Sequence, residues 1–68
     1  MADKLTNRLR VLRAEADISQ ETLAKAVGVS RQTIVAVEGG DWSPSVLLAL
    51  KMARYFKKNL EEVFWLGQ

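Results

Sequence analysis

The feature that most restricts this chain is its punctuation. Asn7, Ser19, Ser30, Ser45 and Asn59, residue types that cap helix N-termini, each stand just ahead of an apolar pattern with helical spacing. Stop signals fall between them. Asp17 tolerates left-handed backbone, Gly28 is the favoured residue just past a helix, and Gly39–Gly40 ends the next one. The helices so bounded run from Asn7 to Ala16, Gln20 to Val27, Arg31 to about Glu38 and Ser45 to about Phe56. A short fifth helix follows Asn59, where Glu62 three residues later completes a capping box. The expectation is an all-α, compact five-helix domain. Strand signals are weak and confined to Lys4–Asn7 and Val63–Leu66, enough for a short terminal β-strand pairing.

Periodicity assigns the inward faces. Leu9, Leu12 and Ala16 form one stripe, and Leu23, Ala24 and Val27 a second. Ile34 faces the core in the third helix. The fourth is apolar nearly all round, from Val46 through Phe56, which places it in the middle of a bundle or against a partner. With a single Pro, no repeat and no low-complexity tract, residues 1–68 form one domain.

Composition removes several function classes. There is no Cys, hence no disulfide framework, thiolate zinc site or thiol nucleophile. There is no His, the commonest metal ligand and the usual general base near neutral pH. Glu61 and Glu62 are adjacent and point different ways on their helix, so they make no acid–base pair. No enzyme activity, metal or cofactor is expected. The longest apolar run, Val46–Leu50, is far short of the ~20 residues of a membrane span. The charged stretch Met1–Arg13 lacks the apolar core of a secretion signal, so the expected location is cytoplasmic. A net charge of +2 is too small to identify a nucleic-acid binder by itself.

The informative unit is residues 19–38: a capped helix, a Gly, a three-residue turn and a second capped helix, the pattern of a helix-turn-helix. Ala24 is small where the two helices approach, Gly28 makes the turn, and Ile34 and Val37 seal the far side. The run Gln-Glu-Thr-Leu-Ala-Lys-Ala-Val-Gly-Val-Ser-Arg-Gln-Thr-Ile-Val-Ala-Val-Glu over Gln20 to Glu38, followed by Gly-Gly-Asp-Trp-Ser-Pro-Ser45, resembles the lambda-repressor/Cro-type helix-turn-helix family. Its short stand-alone transcriptional regulators are the nearest in form, and the resemblance spans about residues 7 to 64.

With Ile34 inward, Gln32 and Ala36 point nearly opposite, Thr33 and Val35 lie at the edges of that outer face, and Arg31 sits at the tip. This face carries no acid and suits a major groove: Gln pairs bidentately with adenine, Arg with guanine, and Val or Ala touches a thymine methyl. The resemblance implies that Arg31, Gln32 and Ala36 read bases, with Thr33 and Val35 beside them. It also implies that Gln20, at a helix N-terminus suited to phosphate, contacts the DNA backbone. Ser30, besides capping, Thr33, Ser43 and Ser45 are further backbone candidates. In the loop, Asp41 stands where the family often carries a base and would repel phosphate. Trp42 either packs against the fourth helix or lies on the sugar-phosphate.

Glu38 occupies a last helical turn, where the helix dipole disfavours a carboxylate, so it needs a cation. Arg13, on the stripe of Leu9 and Leu12, supplies one, and a partly buried Arg13–Glu38 ion pair is expected, as the resemblance also implies. The surplus apolar surface predicts a homodimer through residues 46–68, with Leu47, Leu60, Phe64, Trp65 and Leu66 in the interface and Lys4–Asn7 pairing there as a strand. The expected partner is double-stranded DNA, a near-palindromic operator whose half-sites lie about 34 Å apart. The alternative is an interaction module: an antitoxin whose protein partner binds the C-terminal surface, or a helix-turn-helix fold without DNA binding.

Overall fold

The computed structural model describes residues 3–67. Along the chain it places β1 (Lys4–Asn7), α1 (Leu9–Ala16), α2 (Gln20–Val27), α3 (Arg31–Glu38), α4 (Val46–Tyr55), α5 (Leu60–Val63) and β2 (Phe64–Gly67). Three serines start three helices by the same device. Ser19 Oγ accepts the Thr22 N–H at 3.0 Å, Ser30 Oγ the Thr33 N–H at 3.3 Å, and Ser45 Oγ the Leu48 N–H at 3.0 Å. At α5 the Glu62 carboxylate reaches back to the Asn59 N–H at 2.8 Å. Gly28 leaves α2 with φ of 79°, and a Cβ there would meet nothing within 4 Å, so backbone conformation rather than space requires the glycine.

The first helix departs from expectation at both ends. Asn7 closes β1, and Arg8 stands at the cap position, yet Asn7 Oδ1 still accepts the Leu9 N–H at 3.0 Å. At the other end Ala16 is exposed rather than inward. Asp17 turns left-handed at φ of 57°, and the chain then brings Ile18 against the core in place of Ala16.

One core fills the centre. Leu9, Leu23, Ile34, Val37, Met52 and Val63 are its largest fully buried side chains, one or more from each helix. Only one side of α4 enters it, through Leu48, Ala49, Met52 and Ala53, leaving Val46, Leu47 and Leu50 exposed. No helix among the described residues is long and apolar enough to cross a membrane.

The terminal strands bear out the expected short β-strand pairing and correct only its place in a dimer interface. Lys4–Asn7 pairs within its own chain, antiparallel to β2, with Leu5 opposite Leu66, Thr6 opposite Trp65 and Asn7 opposite Phe64. This ribbon folds the tail back over the core. Phe64, expected in a dimer interface, is therefore a core residue at 6% exposure, and Leu60 is half-buried against the same cluster. Gly67 sits where any Cβ would run into Thr6 Oγ1.

Candidate nucleic-acid interface

α3 lies against α2 and is fixed by Ile34 and Val37, both buried. Of its remaining side chains, Glu38 turns into a buried polar network and the others lie toward the surface. Arg31, Gln32 and Val35 are exposed, Thr33 and Ala36 half-buried, and none of the five is acidic. Of the backbone candidates, Ser30 and Ser45 are exposed with their hydroxyls engaged as caps, and the Thr33 hydroxyl lies 3.1 Å from that of Ser30. Ser43 is exposed beside Trp42. The Trp42 indole is half-exposed and borders two shallow clefts, one against Lys4, Leu5 and Val37, the other against Val29, Leu47 and Leu48. Asp41 is exposed, with its backbone N–H donating to the Ala36 carbonyl at 3.0 Å.

Behind this face lies a polar network centred on Glu38, whose side chain is 1% exposed. Arg13 grips it with two bonds, Nε to Oε2 at 2.5 Å and Nη2 to Oε1 at 3.1 Å, the forked geometry that suits a carboxylate. A third Arg13 bond, from Nη1, reaches the Ile18 carbonyl at 3.2 Å and braces the turn between α1 and α2. The hydrogen bond to Glu38 is the largest influence on the Arg13 guanidinium and holds its pKa above the ordinary arginine range, against the opposing effect of burial. Gln20 donates its amide to Glu38 Oε1 at 3.1 Å. The start of α2 is thereby pinned to the end of α3, and one amide N–H of Gln20 remains available.

Two residues were not foreseen as parts of this arrangement. Asn7 Nδ2 donates to the Val37 carbonyl at 3.0 Å, so one side chain holds both the start of α1 and the end of α3. Arg10 brings Nε to 3.9 Å from Glu38 Oε1. The signal for Arg10 was present, since it stands three residues before Arg13 and so shares its side of α1.

A helix-turn-helix family model matches residues 9–63, which include every helix described above. The chain belongs to the helix-turn-helix family. It is 50% identical over 64 residues to the uncharacterized helix-turn-helix-type transcriptional regulator YgzD of Bacillus subtilis, covering 94% of this chain and 97% of that one. Among solved structures, the restriction-modification controller protein C.AhdI from Aeromonas hydrophila is similar with a TM-score of 0.73 at 37% identity, covering 79% of this chain and 78% of that one. A more distant relative is the cryptic phage CTXphi transcriptional repressor RstR of Vibrio cholerae, 33% identical over 58 residues, 85% of this chain and 52% of that one. For a helix-turn-helix, the exposed, acid-free face of α3 is the side on which recognition is sought.

Proposed function

We propose that this chain is a sequence-specific regulator of transcription, a cytoplasmic repressor that binds double-stranded DNA with α3 in the major groove. The observation that carries the reading is that α3 spends Ile34 and Val37 on the core and leaves Arg31, Gln32 and Val35 free at the surface, with Ala36 beside them. Arg31 suits guanine, Gln32 adenine, and Val35 with Ala36 a thymine methyl. Gln20, Ser30, Thr33, Ser43 and Ser45 serve the phosphate backbone, which positions the protein without selecting sequence. The transcriptional regulator YgzD and the repressor RstR support the regulatory and repressor assignments.

Action as a homodimer belongs to the same proposal. Leu47 and Leu66 are each 65% exposed, and Val46, Leu50 and Trp65 are exposed beside them in the sequence. Covering such residues with a second copy removes apolar surface from water at about 25 cal/mol per Å². A two-fold pair would present two α3 helices to half-sites about 34 Å apart. Selection of bound sites from a random duplex pool tests the whole reading. The expected result is an enriched two-fold-symmetric site. No enrichment, with no duplex binding at low salt, would instead favour a module whose partner is a protein bound at the C-terminal surface.

A further inference from the structure

Glu38 gathers more positive charge than it neutralises. Arg13 donates to both of its carboxylate oxygens, and Gln20 adds a bond at Oε1. Arg10 approaches the same oxygen at 3.9 Å, beyond hydrogen-bond distance, with its side chain 74% exposed. Two guanidiniums facing one carboxylate leave one positive charge over. Among the described residues Arg10 pairs with no other acid. It stands at the surface near the carboxylate oxygen that Gln20 also meets, without being neutralised there.

The place matters as much as the charge. Glu38 ends α3 and Gln20 begins α2, so Arg10 stands by the C-terminal end of the proposed recognition helix while Arg31 stands at its N-terminal end. With the N-terminal end of α3 turned to the bases, Arg10 stands at the other end, beside the start of α2 where Gln20 approaches the backbone. We propose that Arg10 is a DNA-backbone residue: with Nε turned toward Glu38, its Nη groups meet a phosphate next to the one approached by Gln20. A planar fork suits phosphate oxygens, which a guanidinium meets bidentately. The inference rests on the DNA-binding reading above and adds Arg10 to the residues implied by family resemblance.

The test is fluorescence anisotropy of a labelled, random-sequence short duplex, titrated with full-length protein over a series of salt concentrations. Arg10→Gln should lower the slope of log affinity against log salt by about 0.9, the loss of one phosphate contact. That corresponds to binding roughly eightfold weaker at about 0.1 M salt and threefold weaker at about 0.3 M. The thermal midpoint should not move, because Arg13 still holds Glu38. Lys57→Gln makes the same change in net charge on the far side of α4 in sequence and should leave the slope nearly unaltered. An Arg10→Gln slope equal to that of the parent would overturn the inference, as would an equal fall in both variants or a lowered midpoint with an unchanged slope. A parent protein that binds no duplex would instead overturn the DNA-binding reading together with it.

Discussion

Replacing Arg13 by alanine isolates the polar network beneath α3. The change deletes both hydrogen bonds to Glu38 and leaves a carboxylate of 1% exposure without its bound cation. Breaking a buried pair from one side costs about 3–5 kcal/mol. The lower end applies here, because Gln20 still donates to Oε1 and Arg10 is close enough to swing inward. A domain of 68 residues has a total stability of roughly 3–10 kcal/mol. At about 2.1 cal/mol/K per residue its unfolding entropy is roughly 0.14 kcal/mol/K. A loss of about 3 kcal/mol then lowers the melting midpoint by about 20 °C. Circular dichroism at the helical band, followed during heating, measures this directly. Replacing both partners, Arg13→Met with Glu38→Leu, should recover most of the loss. The residual deficit should be about 1 kcal/mol, because the Ile18 carbonyl also loses its donor. The raised pKa of Arg13 sets the sign of the pH dependence. Its stabilisation is complete below the ordinary arginine value and disappears only as pH rises past the raised one, so this group adds no slope between about pH 6 and 9. A single-variant midpoint within about 3 °C of the parent, or a double variant as unstable as the single, would refute the reasoning.

Three other outcomes are expected. Gln32→Ala should cost about 1–3 kcal/mol at the selected site and relax preference at one base position, whereas Gln20→Ala should weaken all duplexes alike; competition binding separates the two patterns. Asn7→Ala removes bonds to the Leu9 N–H and the Val37 carbonyl and should cost about 1–3 kcal/mol, read as a lower urea midpoint with an unchanged m-value. Leu47→Asp should convert a dimer into a monomer in sedimentation at tens of micromolar while barely changing the helix content, since Leu47 is already exposed in the single chain.

What could be read from the residues divides by distance along the chain. Caps and stops act within four or five residues, so Ser19, Gly28, Ser30 and Ser45 fall where their local chemistry puts them. The turn unit was legible for the same reason. The Arg13–Glu38 contact, 25 residues apart, could be anticipated because a carboxylate in a last helical turn demands a cation and only a few were placed to reach it. The terminal ribbon was harder. Its strands are four residues each and their signals weak, and pairing Lys4 with Gly67 depends on where five helices deliver the chain. That non-local step decides the fate of Phe64, which periodicity alone could not separate from interface residues. The same limit hid the second bond of Asn7, because its acceptor is 30 residues away.

The ribbon also fixes how the domain answers to mechanical load. Lys4 and Gly67 lie side by side on antiparallel strands, so force drawing them apart peels the rungs in succession instead of shearing them together. The last rung is Asn7 opposite Phe64, and Asn7 is the clasp on the end of α3. Tension on that seam would therefore reach α3 through Asn7.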